Sequence, residues 1–365
     1  MMKINRLLFI FCLVFCGCIN DELPGSEADI VSFNIPEVEL IDKSIDVNSV
    51  YIMVENGDVL RNVRPKIEVS QGAHILPDTF VNLHDVEYVV TSENGHSQKR
   101  YTIDIAKEYI DDVIYFPFEE WSVTGDGYDK FKDARWSSGN GGITMALGIL
   151  GRSKIPENYP SQMTDAGKSG NAVQLKTKKG GDIFGMKIAV WAGNFFLGNF
   201  NTSKVVTPLY ATEFGRVYKR KPLRLHGFYK YTEGAGLYHH SYSDGVIDSF
   251  ARPDTCAIYA IFYRADNQET LTAYDINSSP LIIARADLLN GAATSGTDFH
   301  EFDIPFNYKS EPDFEHHTYK LAIVFSSSAA GGTPKYENGV PTSTVIYAGK
   351  PGSTLIVDEV MVVNE

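Results

Sequence analysis

Cysteine is scarce in this 365-residue chain: there are four, and Cys12, Cys16 and Cys18 crowd the start. Cys256 is alone in the remainder, so no internal disulfide can staple the body, and stability must come from core burial. No apolar run approaches the ~20 residues needed to cross a bilayer as a helix. Basic residues are outnumbered, 33 against 46 acids, and the net charge is −13. That balance excludes an electrostatic grip on nucleic acid or on anionic lipid. Sustained helical periodicity and internal repeats are absent. The glycines at 139, 141, 142, 331 and 332 are not followed by the Lys-Ser/Thr of a phosphate loop, which removes that route to nucleotide binding. His239-His240 and His316-His317 are adjacent pairs whose side chains diverge on extended chain, unlike a metal-binding i, i+4 pair on a helix.

What is present begins with an address. Lys3 and Arg6 precede a short apolar run at 7–15, and Gly17 stands before Cys18. A basic start, a short apolar stretch and a small residue before the break make a secretory signal. The cysteine directly after it gives the signal a lipoprotein form. Residues 1–17 are therefore expected to be removed and Cys18 lipidated. Cys16 is the alternative, disfavoured by bulky Phe15 directly before it. Removal of Lys3 and Arg6 makes the remaining chain more acidic still. Asp21-Glu22 resembles the export signal that sends Bacteroidota lipoproteins to the outer face of the outer membrane. Residues 18–27, with Pro24, Gly25 and Ser26, read as a solvated tether.

Beyond the tether the pattern is strand after strand. Segments 30–35, 49–54, 66–70, 86–91 and 100–105 carry β-branched and aromatic residues, and the turn residues Asn56-Gly57 and Asn94-Gly95 fall between them. Strands at this spacing over 28–108 predict an immunoglobulin-like sandwich without its disulfide. The acids of 108–113 mark a boundary. From 114 to 365 the strand signal resumes on a larger scale, at 171–177, 223–231, 255–263, 281–286, 300–306, 319–325 and 354–363. The expectation is an all-β chain, with the small sandwich followed by a large jelly-roll sandwich. The 20 Tyr and 21 Phe supply its core, and Cys256 is expected to be a buried small hydrophobe.

Several segments of the larger part carry a resemblance. They include Phe118-Glu119-Glu120-Trp121, Trp136-Ser137-Ser138-Gly139-Asn140, Gly193-Asn194-Phe195-Phe196, Phe228-Tyr229-Lys230-Tyr231 and Leu355-Ile356-Val357-Asp358-Glu359. In order and spacing they resemble the putative carbohydrate metabolism domain family of Bacteroidota surface lipoproteins. The resemblance implies a jelly roll behind an immunoglobulin-like module. No catalytic residue carries across with it. The stretch 328–350 departs from the pattern and reads as an enlarged loop. A looser similarity is to carbohydrate-binding jelly rolls, whose first and last strands pair. Glu119, Glu120 and Asp358 stand on those strands here, and they could share a structural Ca²⁺.

Sugar recognition needs flat aromatic faces together with amides, carboxylates or Arg for hydroxyls. Trp136 with Asn140, Trp191 with Asn194, and Tyr229 with Tyr231 are the materials on offer. Trp136, among Ser and Gly, is the expected exposed platform, whereas Trp191 follows an apolar run and is expected to be buried. Asn140, Asn194, Tyr229 and Asp254 complete the expected ligand set. The partner expected is thus a glycan or polysaccharide, held noncovalently by a protein anchored to the membrane through its lipid. Two rivals stand beside it. A glycoside hydrolase would need a carboxyl pair drawn from Asp126, Asp129, Asp254, Asp266 and Glu269, about 5–9.5 Å apart. An adhesin-like module would show a broad apolar patch instead of a groove.

Overall fold

The computed structural model describes residues 24–183, 185–267 and 269–365. The expected lipidation site at Cys18, the expected signal peptide and the start of the expected tether lie outside them. Strands make up 48% of the structure and helices 7%, so the all-β expectation holds.

Two sheets form the N-terminal sandwich. Ile30–Asn34 pairs with Lys66–Val69, and a five-stranded sheet runs in the order Asp42–Ile45, Ser49–Val54, Gln98–Lys107, Glu87–Thr91, His74–Leu76. Phe33 and Ile30 from the first sheet meet Val50, Ile52, Tyr88 and Val90 from the second in one core. Alternation along each strand gives each sheet its buried face. One pairing, Ser49–Val54 with Gln98–Lys107, is parallel.

The larger part is also a sandwich. Its six-stranded sheet follows the order Ser161–Thr164, Ala172–Lys176, Thr354–Asn364, Pro222–Thr232, His300–Pro305. The first strand, Val113–Phe116, pairs with the last, Thr354–Asn364. The opposing nine-stranded sheet is centred on Tyr319–Ser326, flanked by Asn194–Phe200 and Ala257–Arg264. An aromatic layer including Phe118, Phe195, Tyr231, Phe262 and Phe325 fills the space between them. A second cluster, with Phe196, Ile261, Tyr263 and Val324, covers the other face of the nine-stranded sheet. That explains why Tyr319–Phe325 is buried residue after residue rather than alternately.

Two features correct the sequence reading. Residues 328–350 are not a loose loop. Gly331–Glu337 and Val340–Gly349 form a hairpin in a four-stranded sheet with Tyr238–Tyr242 and Ile247–Phe250. Its turn is Asn338-Gly339 with φ of 52° and 79°, the left-handed pair that suits a two-residue hairpin. The Gly-rich stretch after Trp136 opens the helix Asn140–Ile149. Glycine suits the close approach there, since a Cβ at Gly141 would lie 2.8 Å from Thr202 Cγ2 and would push that side chain aside.

The two sandwiches share a packed seam. Tyr51, Met53, Ala106 and Tyr109 of the first join the aromatic core of the second. Arg216, 3% exposed, clamps them. Its guanidinium lies 3.7 Å from the Tyr51 ring centroid, donates to Ser44 Oγ at 3.2 Å, and donates to the Gly198 carbonyl at 2.8 Å.

Candidate functional site

The structure scatters the residues selected from sequence. Trp136 is no exposed platform, because its ring is 3% exposed. Strand Trp136–Ser137 pairs with Asn194–Phe200, and this register aims the indole inward. It stacks on Phe195 at 4.9 Å and Phe325 at 5.8 Å, with Phe116 and Phe118 edge-on. Asn140, 1% exposed, is a strut: its Nδ2 donates to the Ser161 carbonyl at 2.7 Å, and its Oδ1 accepts from the Ser161 amide. Asn194 Oδ1 accepts from the Gly139 amide at 2.7 Å and fixes the approach to the helix. Tyr229 faces the core beside Phe302, 6.1 Å away, so the opposite phase of its strand carries the outward residues His226, Phe228 and Lys230.

Asp254, 3% exposed, is a cross-tie rather than a sugar ligand. Its Oδ2 accepts from Ser328 Oγ at 2.6 Å, Ser353 Oγ at 2.8 Å and the Lys350 amide at 2.8 Å. Trp191 is buried as expected, with the Arg152 guanidinium 5.3 Å from its ring. Cys256 is also buried, and desolvation pushes its thiol up to about 12, which makes it inert as a nucleophile.

The acids assigned to a cation do not converge. Glu120 turns to Lys132 at 3.5 Å. Glu119 Oε2 accepts from the Asn171 amide at 2.9 Å. Asp358 accepts from the Ser169 amide at 3.0 Å and the Glu359 amide at 2.8 Å. Backbone N–H donors therefore engage Glu119 and Asp358, and a lysine engages Glu120. Among the described residues no three His, Cys, Asp or Glu are placed to hold a metal ion. Burial raises the Asp358 carboxyl above its ordinary range, while those amides pull it back down.

The hydrolase candidates are dispersed as well. Asp266 pairs with His317 at 2.9 Å and Arg264 at 3.5 Å, Glu269 accepts from the Asn267 side chain, and Asp126 faces Lys154 at 3.6 Å. Asp129 alone of them stands with other acids in a concave surface.

That surface is a cleft of about 100 Å³ between the two sandwiches. One wall is the edge of the small sandwich, with Asp46, Tyr51 and Asp104. The other is the hairpin Trp121–Val123 with Asp129–Phe131, which brings Trp121, Tyr128, Asp129 and Lys130. Trp121 and Tyr128 are half-buried. The indole of Trp121 is locked, since its Nε1 donates to the Phe118 carbonyl at 2.6 Å and its ring packs on Phe131 and Phe195 at 5.2 and 5.8 Å. Lys130 Nζ reaches across the seam to Asp104 Oδ2 at 3.1 Å. Asp129 Oδ2 accepts from the Met163 amide at 2.9 Å, and Asp46 Oδ1 accepts from Thr202 Oγ1 at 2.8 Å. Each acid keeps acceptor capacity beyond these bonds.

Tyr51 and Trp136 line the cleft with part of their side chains, while the Tyr51 hydroxyl and Trp136 Nε1 are sealed from solvent with no hydrogen-bond partner among the described residues. Burial with Asp42 and Asp133 nearby keeps the Tyr51 phenol protonated well above its usual range, against the pull of Arg216 and Arg135. Sequence reasoning missed most of this site. Trp121 was visible in the Phe-Glu-Glu-Trp segment, but nothing local places Asp46 and Asp104 opposite it.

Comparison with known proteins places the chain in company. Residues 111–363 match the family described as putative carbohydrate metabolism domain. A putative glycoside hydrolase from Bacteroides thetaiotaomicron is 30% identical, with a TM-score of 0.76 over 94% of this chain and 99% of that one. A putative glycoside hydrolase from Bacteroides vulgatus is 27% identical, with a TM-score of 0.55 over 69% of this chain and 98% of that one. No curated protein matches.

Proposed function

The chain belongs to the putative carbohydrate metabolism domain family, and from that premise we propose that its inter-sandwich cleft captures a glycan noncovalently. One observation carries the reading. Half-buried Trp121 and Tyr128 share an open hollow with three carboxylates and a lysine. Ring faces suit the C–H side of a pyranose, and the charged groups suit its hydroxyls. The walls are fixed before binding by Arg216 and by the Lys130–Asp104 pair, which limits the ordering cost of association.

The test is a glycan-array screen of the secreted chain beside its Trp121→Ala variant. A retained polysaccharide whose binding weakens at least about tenfold in the variant supports capture. Silence across plant, host and microbial glycans, or equal binding by both proteins, overturns it.

Localisation belongs to the same proposal. Lipidated Cys18 anchors the protein in the outer membrane, and the tether of 18–27 holds the sandwiches at the cell exterior, where polysaccharide is met. Metabolic labelling with a palmitate analogue should mark the wild type and not Cys18→Ser.

A second reading is hydrolysis, favoured by Asp104 and Asp129 lining one cleft beside Lys130 and by what the two Bacteroides structures are described as. It requires released sugar from a bound glycan. It further requires Asp104→Asn or Asp129→Asn to bind without releasing product.

A further inference from the structure

We infer that the captured glycan carries an aryl substituent, whose ring enters a second, apolar cavity beside the cleft; the inference rests on the cleft reading above. The cavity measures about 180 Å³. Its walls include Ile143 and Ala146 of the helix Asn140–Ile149, Met186, Val190 and Trp191 of the strand Met186–Trp191, and Tyr347 of the hairpin. An apolar cavity of about 150 Å³ accepts benzene, so there is room for one six-membered ring and a short arm. The mouth reaches solvent, because Met145 and Val206 line it and are 40% and 69% exposed.

Chemistry selects the occupant. Three polar side chains at the rim are already engaged: Asn140 with Ser161, Ser161 Oγ with the Asn194 carbonyl at 2.7 Å, and Asn194 with Gly139. A sugar ring in this space would leave several hydroxyls without partners, a cost that apolar walls cannot offset. An aryl ring leaves none. Position selects the linkage, since Ser161 and Phe200 line both the cleft and the cavity. A sugar held in the first can therefore present a substituent to the second.

The experiment uses the secreted chain with two probes. The first is methyl benzoate, followed by saturation-transfer NMR. The second is the oligosaccharide retained on the array, compared with its monobenzoylated form by calorimetry. Ala146→Phe and Ile143→Trp fill the cavity from two positions on the helix, and circular dichroism identifies which of them fold. The expected result is a methyl benzoate signal that both folded variants lose. Benzoylation should also tighten binding at least tenfold in the wild type, with the gain gone in the variants and the parent oligosaccharide unaffected. No methyl benzoate signal on the wild type, or a gain that survives in a folded variant, overturns the inference. Methyl benzoate binding without any oligosaccharide binding overturns the cleft reading and the attachment of the aryl group to a glycan.

Discussion

Asp254 accepts hydrogen bonds from two hydroxyls and one amide on a single oxygen, and so ties the turn at 350–353 to Ser328. Bonds to a charged group contribute about 1.5–3 kcal/mol apiece, and removing the acceptor takes this partner from all three donors, Ser328 keeping only its bond to Thr177. Asp254→Ala should therefore cost about 3–5 kcal/mol in urea denaturation. A loss below about 1 kcal/mol would mean that the tie is dispensable. The acid looked like a sugar ligand in the sequence because Asp before an apolar strand marks an exposed edge as readily as a buried brace. Trp136 misled in a similar way. Ser and Gly around it read as a loop, yet pairing with Asn194–Phe200 placed the ring against Phe195 and Phe325.

The strand Thr354–Asn364 lies centrally in its sheet, paired with Ala172–Lys176, Pro222–Thr232 and Val113–Phe116. A bulge interrupts its pairing with Pro222–Thr232 between His226 and Phe228, opposite Asp358 and Met361, and Glu359 sits there at φ 52°. Asp358 in this bulge holds the loop ahead of Ala172–Lys176 through the Ser169 amide. Its folded pKa is raised. The protonated folded form is therefore favoured, and the contribution to stability is full below the unfolded value near 3.9 and is lost as pH rises through the folded value. Thermal unfolding of the wild type should show this decline starting near pH 4, and Asp358→Asn should flatten it. An unchanged slope in the variant would assign the pH dependence elsewhere. Strand positions themselves were legible, since 30–35, 49–54, 223–231 and 354–363 are all strands. Phase was partly legible in Pro222–Thr232, since Arg224, His226, Lys230 and Thr232 mark the outward face and only Phe228 puts a large ring among them.

The whole molecule is held together at its seam. Tyr51 and Tyr109 belong to the same packed core as Phe116 and Tyr218, so the two sandwiches should unfold together. Calorimetry should show one transition for the wild type. Arg216→Ala removes the stacking on Tyr51 and the bond to Ser44 while stranding the carbonyls of Gly198 and Ala134. We expect it to lower stability by about 3 kcal/mol and to split the transition, the small sandwich melting first. It should weaken glycan capture as well, because one wall of the cleft belongs to each sandwich. A single, unshifted transition in the variant would show that the seam holds without Arg216.

Composition and alternation determined the all-β class, the aromatic core and the inert buried thiol, because burial of apolar area follows residue type and period whatever the topology. The family was legible too, as an order of short segments rather than as a chemistry. Only the tertiary structure decided where the chemistry lies. Asp46 and Asp104 come from one sandwich and Trp121 and Lys130 from the other. Their meeting depends on how two finished units dock, and no local pattern of residues encodes that.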